Sequence, residues 1–134
     1  MRVVIDTNVL VSAALNPHGS PGRIVDAVLA GSLALLHDDR VLSEYREVLL
    51  RPVFAFSPER VQALLDFLTV RGEHVSGKEI GVVLPDPDDL PFLQVAVAGV
   101  AEALITGNTR HYRPIRGKHR VRVLTPGEFL PSIV

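Results

Sequence analysis

Cysteine and tryptophan are both missing from the 134 residues, and tyrosine occurs only twice. No cysteine means no disulfide, no thiol nucleophile and no thiolate zinc site, a pattern compatible with a cytosolic setting. Scarce aromatics leave few flat side chains on which nucleobases could stack. There is no excess of charge either: 14 basic and 15 acidic residues give a net charge of -1. That excludes a uniformly basic coat but not a local basic patch. No apolar run reaches membrane-spanning length, and the chain opens on a core-like strand without the pattern of a secretion signal. The expectation is a soluble cytoplasmic protein. What is present, 47% hydrophobic and 22% charged residues over the length of one domain, describes a globular core spanning residues 1–134.

Short apolar runs alternate with longer amphipathic segments. Val3-Val4-Ile5 reads as a buried strand, and Val9 to Leu15 as a helix broken by Asn16-Pro17-His18-Gly19. Ser20-Pro21 is a helix start, with Ile24, Val25, Val28 and Leu29 on one face and Gly31 as a stop. Leu33 to Leu36 is a second strand, and Asp38-Asp39 caps a helix striped by Val41, Leu42, Tyr45, Val48 and Leu49. Ser57-Pro58 opens a further helix, closed by Gly72, and Glu73 to Val75 is a weak strand. Leu90 to Ala101 is apolar on every side and so predicts a central helix. Ala103 to Thr106 and Val121 to Leu124 complete the strands, and Pro126 opens a short last helix. Strands alternating with helices predict a three-layer α/β/α sandwich around a parallel sheet of four to five strands.

The strand ends carry acids. Asp6 follows the first strand, with Thr7 and Asn8 behind it, and serves equally well as a helix cap or as a ligand at the edge where α/β sheets bind. On the helix after Asp38, Glu44 falls about 100° from the centre of the apolar stripe, whereas Glu47 points away. Glu44 is therefore the acid able to lean over the sheet edge. Asp86, Asp88 and Asp89 crowd four positions, and Pro91 places the following helix start near Asp88 or Asp89. Capping needs one carboxylate, so three within four residues repel unless a cation is present. An all-oxygen donor set favours Mg²⁺ or Mn²⁺ over zinc, and such a site suits phosphodiester hydrolysis.

These residues resemble a known family. Val4-Ile5-Asp6-Thr7-Asn8-Val9-Leu10 is similar to the opening motif of PIN-domain ribonucleases, in the branch of VapC-like toxins of toxin–antitoxin pairs. Val41-Leu42-Ser43-Glu44-Tyr45, Asp86-Pro87-Asp88-Asp89 with Phe92, Leu93 and Ala96, and Ile105-Thr106-Gly107-Asn108 resemble its later motifs in order. The resemblance implies endonucleolytic cleavage of single-stranded or structured RNA with Mg²⁺ or Mn²⁺, an antitoxin partner and a homodimer. Carried over, Asp6, Glu44 and Asp89 are the core acids and metal ligands, with Asp86 as helper. Thr7 and Asn8 position Asp6. Asn108 becomes a neutral fourth member where many relatives carry another aspartate, followed by His111 as a candidate proton donor. That departure keeps open an inactive PIN-like module that binds RNA or antitoxin.

One charge feature stands apart from the family. Residues 103–127 contain no acid but include Arg110, Arg113, Arg116, Lys118, Arg120 and Arg122. This stretch directly follows Asn108 and is a candidate phosphate-binding surface. His18, His37, His74 and His119 are scattered and gain no role from the sequence.

Overall fold

In the computed structural model, which describes residues 1–115 and 118–134, five parallel strands form one sheet. They are β1 (Arg2–Ile5), β2 (Ala34–His37), β3 (Glu73–His74), β4 (Ala103–Ile105) and β5 (Arg122–Leu124), in the order β3-β2-β1-β4-β5. The helices are α1 (Thr7–Leu15), α2 (Ser20–Leu29), α3 (Asp39–Leu49), α4 (Pro58–Arg71), α5 (Leu90–Ala98) and α6 (Pro126–Phe129). Helices cover both faces of the sheet, giving the expected three-layer sandwich.

Strand β1 sits in the middle, its Val3 and Val4 fully buried and its neighbours β2 and β4 pairing in register Val3 with Leu35 and Val4 with Leu104. Helix α5 lies against β1, β2 and β4, and Phe92, Leu93, Val95 and Ala96 bury in that contact. Pro91 falls in the first turn of α5, where its missing N–H has no intrahelical partner to lose. A single 3₁₀ turn, Pro87–Asp89, leads into the helix.

Strand ends shift by a residue and helix α5 stops at Ala98, short of Ala101; two helix starts also differ from the sequence reading. Helix α1 begins at Thr7, two residues early, because the Asp6 carboxylate accepts the Thr7 N–H and starts the helix at once. Helix α2 includes Ser20, and Gly19 becomes its cap without a side-chain hydrogen bond. The other starts are as read: Asp38 accepts the Val41 N–H and Ser57 the Arg60 N–H. Gly72 ends α4 in a close approach that only hydrogen permits, since a Cβ there would lie 2.6 Å from both the Leu35 and Leu68 carbonyl oxygens. The core is thus continuous across the sheet, and all five carboxyl ends open on one edge.

Among the described residues, no helix is long and apolar enough to cross a membrane.

Candidate active site at the carboxyl edge of the sheet

Asp6 lies just beyond β1 and is 4% exposed. Its Oδ1 accepts the Thr7 N–H at 2.8 Å, so it does cap α1. Its Oδ2 is shared by three donors: the Thr106 hydroxyl at 2.9 Å, the Tyr112 hydroxyl at 3.1 Å and the Asn8 amide at 3.4 Å. The two readings of Asp6 are therefore not alternatives, because one oxygen caps and the other anchors a network. Burial raises its pKa, while the Thr106 and Tyr112 hydrogen bonds pull it back down. Three donors on one oxygen are what a carboxylate needs to stay charged in a low-dielectric setting.

Asn8 ties the first motif to the last. Its Oδ1 accepts the Gly107 N–H at 2.9 Å, and the Asn108 N–H reaches the Thr106 hydroxyl at 3.0 Å. The Asn108 residue is exposed, so its contribution to this network is through the backbone. Thr7 positions Asp6 through its own N–H, and its Oγ1 is buried without a hydrogen-bond partner.

Asp89 divides the work of the acidic turn with Asp86. The Asp86 side chain accepts the Asp88 N–H at 2.9 Å and caps the 3₁₀ turn, leaving the Asp89 carboxyl free of any capping bond. Asp89 instead meets His111 Nδ1 at 2.9 Å from its Oδ2. Burial first, and then the charges of Asp6 and Asp86, push the Asp89 pKa to about 6 despite the opposing pull of His111. Asp86, Asp89 and His111 offer ligand atoms that all lie within 4.8 Å of one another. These residues can hold a metal ion.

Glu44 is half-buried on α3, as its helical angle predicts, whereas Glu47 is exposed and pairs with Arg51 at 3.4 Å. Burial raises the Glu44 pKa, and Glu47, Asp88 and Asp6 add to the rise. Thus Glu44 shares the field of the acids but lies outside the tight group of three. Asp6 is also outside that group, although its charge acts directly on Asp89.

Three contributors escaped the sequence reading. Tyr112 and Tyr45 are both fully buried; Tyr112 donates to Asp6, and the Tyr45 hydroxyl donates to the Ile5 carbonyl at 2.5 Å, one residue before it. The sequence places Tyr45 on the apolar stripe of α3 and counts both tyrosines as scarce stacking platforms, and it assigns no task to either hydroxyl. Thr106 lies within a motif that the sequence displays, but nothing in its type announces a bond to a residue 100 positions away. The available signal is a tyrosine or threonine beside a strand end, which is weak.

Of the basic candidates, Arg110 and Arg113 lie on the 3₁₀ segment Thr109–Ile115, and these two with Lys118 are exposed. None of the three makes an ion pair with a described residue. Arg116 lies outside the described residues.

A PIN domain family model matches residues 2–110, a span that includes every acid described above. The chain belongs to the PIN domain family. An uncharacterized protein of Methanocaldococcus jannaschii is 29% identical over 141 residues, covering 97% of this chain and 90% of the relative. Two solved structures share the PIN fold seen here. One is VapBC2 from Rickettsia felis bound to a DNA fragment from its promoter, with 19% identity, a TM-score of 0.59, and coverage of 93% of this chain and 98% of that one. The other is VapBC-1 from nontypeable Haemophilus influenzae, with 16% identity, a TM-score of 0.62, and coverage of 95% and 99%.

Proposed function

We propose that this PIN domain is a metal-dependent endoribonuclease and the toxin of a toxin–antitoxin pair. The observation that carries the proposal is the convergence of Asp6, Asp86, Asp89 and His111 at the edge where β1 and β4 end. Asp86, Asp89 and His111 would hold Mg²⁺ or Mn²⁺, with Asp6 and Glu44 contributing charge from β1 and α3. A divalent cation there supplies activated water and neutralises charge on the phosphate. The mixed oxygen and nitrogen donors make Mn²⁺ at least as suitable as Mg²⁺, since imidazole is a softer ligand than carboxylate.

The chain's own residues have distinct tasks. Thr106 and Tyr112 hold the Asp6 carboxylate in its charged form and fix its direction. His111 bonds Asp89 on one ring nitrogen and keeps the other for a proton or a ligand. Arg110, Arg113 and Lys118 offer unpaired positive charge to an RNA backbone beside the acids. The VapBC complexes of similar fold support an antitoxin partner, and the same reading carries a homodimer with it.

The test is cleavage of single-stranded RNA with Mg²⁺ or Mn²⁺ supplied. Wild type cuts, chelation stops it, and Asp6→Asn or Asp89→Asn lowers the rate by on the order of 10³ while the circular dichroism spectrum is retained. Equal cleavage by wild type and Asp6→Asn overturns the assignment. Absent cleavage, together with tight binding of the product of the neighbouring gene, favours the inactive binding module instead.

A further inference from the structure

A second recess lies beside the acidic centre. It is an open cleft of about 480 Å³, within the range of about 300–1,000 Å³ that small-ligand sites occupy. Four segments meet in it: α1 supplies Asn8 and Ser12, the start of α2 Ser20 and Pro21, the turn after β4 Asn108, and the start of α6 Pro126. Asn8 joins this cleft to the acids. The same side chain that lines it donates to Asp6 Oδ2 at 3.4 Å and accepts the Gly107 N–H at 2.9 Å. An RNA strand with a phosphate at the acids therefore has an adjoining nucleotide beside the cleft.

The lining selects the occupant. Among the described residues no acidic or basic side chain lines the cleft, so it offers neither a phosphate nor a metal ion an opposite charge. Its polar groups are neutral, and the Ser12 and Ser20 hydroxyls and the Asn108 amide have no hydrogen-bond partner among the described residues. A hydroxyl both donates and accepts, and an amide sets a carbonyl oxygen beside an NH₂ group. That mixture matches the edge of an unpaired nucleobase, where donors and acceptors stand side by side. Val9, Pro21 and Pro126 add apolar surface for the face of the base. No aromatic ring lines the cleft, so hydrogen bonds and proline contact take the place of ring stacking.

Two glycines keep the cleft clear. A Cβ at Gly107 would come within 3.3 Å of Asn8 Oδ1, and a Cβ at Gly127 would meet nothing within 4 Å. Thr125 fixes the rim at α6, since its Oγ1 accepts the Glu128 N–H at 3.1 Å and its N–H donates to Glu128 Oε1 at 2.9 Å. Asn108 gains a different task in this setting. Only its N–H joins the Asp6 network, through Thr106, which leaves the amide to the cleft.

We propose that the cleft is a nucleobase subsite, holding the base of a nucleotide next to the scissile phosphate of single-stranded RNA, with Asn108 and Ser20 as its recognising groups. The choice of strand rests on the ribonuclease reading, whereas the neutral lining stands apart from the acids.

The experiment is fluorescence anisotropy of the full chain in metal-free buffer, with a short labelled single-stranded RNA of mixed sequence and with the same sugar–phosphate backbone lacking bases. Wild type, Asn108→Ala, Ser20→Ala and Gly127→Leu are compared. The two alanine variants break no hydrogen bond of the fold, and Gly127 has room for a side chain. Each variant is expected to weaken binding of the intact RNA roughly threefold to tenfold, the worth of one lost hydrogen bond, and to bind the abasic strand as wild type does. Calorimetric Mn²⁺ titration is expected to give the same isotherm for wild type and Asn108→Ala. Equal RNA affinity in all four proteins overturns the proposal, as does an equal loss on the abasic strand; a fall in Mn²⁺ affinity in Asn108→Ala overturns the role of that residue. Cleavage of the intact RNA by wild type with Mn²⁺ separates the two readings. Base-dependent binding without cleavage keeps the subsite and removes the ribonuclease, and cleavage with base-independent binding does the reverse.

Discussion

Asp6 and His37 stand at the carboxyl ends of adjacent parallel strands, and at 4% and 2% exposure they are almost equally buried. Asp6 has four hydrogen-bond donors around it; His37 has no partner at either nitrogen. Burial moves each toward its neutral form, raising the acid and lowering the base; hydrogen bonds from Thr106, Tyr112 and Thr7 resist the change at Asp6, whereas at His37 the opposing pull comes from the Leu68 carbonyl and the charges of Asp38 and Asp39. The difference shows two ways to keep a titratable group inside a fold. One end of the edge is built around a charge that must persist, and the other leaves a neutral lone pair without a donor.

If that contrast is right, the hydroxyls on Asp6 matter more than their hydrogen bonds alone would suggest. Tyr112→Phe keeps the buried ring and removes only the 3.1 Å bond to Asp6 Oδ2. The expected outcome is a loss of about 1 kcal/mol in stability, measured by urea unfolding. A roughly tenfold loss in Mn²⁺ affinity, measured by calorimetry, should accompany it. An unchanged Mn²⁺ affinity would break the comparison, since it would make the network structural and the charge on Asp6 independent of it.

The sequence displayed the layers of this fold because hydrophobic period, proline and glycine act locally. Ser57-Pro58, Asp38 and Gly72 stand at helix ends where their chemistry places them. The acids were legible for the same reason: Asp6, Asp86 and Asp89 follow strands or precede a helix, and Glu44 has an angle on its helix. Pairings across the chain were not. Asp6 meets Thr106 and Tyr112 across 100 and 106 positions, and His37 meets His74 only because two short strands align in register. His111 reached Asp89 in the same hidden way, turning a loop histidine into a member of the acidic group. A one-dimensional pattern fixes which residue ends an element, but not which ends become neighbours.

The acidic centre and His37 should also respond to pH with opposite sign. Asp89 has a pKa of about 6 in the fold against an ordinary 3.8. Between those values the folded protein holds a proton that the unfolded chain releases, so this contribution to stability is full below about 3.8 and is lost as pH rises through about 6. His37 has a folded pKa below its ordinary 6.5, so its contribution is present above that value and is lost as pH falls. Asp89→Asn should therefore raise the metal-free unfolding free energy at pH 7.5 by on the order of 2 kcal/mol and leave it nearly unchanged at pH 4. Chemical unfolding at both pH values checks this. A mutant less stable than wild type at pH 7.5 would show that Asp89 is paid back by His111 rather than strained by burial.

The smallest expected effect concerns the arginines at the two ends. Arg40, beyond β2, is already engaged: its guanidinium contacts Asp38 Oδ2 at 2.8 and 3.0 Å and Gln94 Oε1 at 2.6 Å. Arg113, on the segment after β4, is exposed and has no acid partner among the described residues. A guanidinium held by a carboxylate has little net charge to offer a phosphate, whereas a free one releases a counterion on binding. Arg113→Ala should weaken RNA binding a few-fold for all sequences alike and lower the slope of log K against log salt by about 1. Arg40→Ala should leave that slope unchanged. Fluorescence anisotropy of a labelled RNA with the Asp89→Asn protein, titrated at several salt concentrations, reads both slopes without cleavage. Equal slopes for the two mutants would place the RNA track across the whole edge, and the contrast between a charged end and a neutral end would then stop at the buried groups and not extend to the substrate.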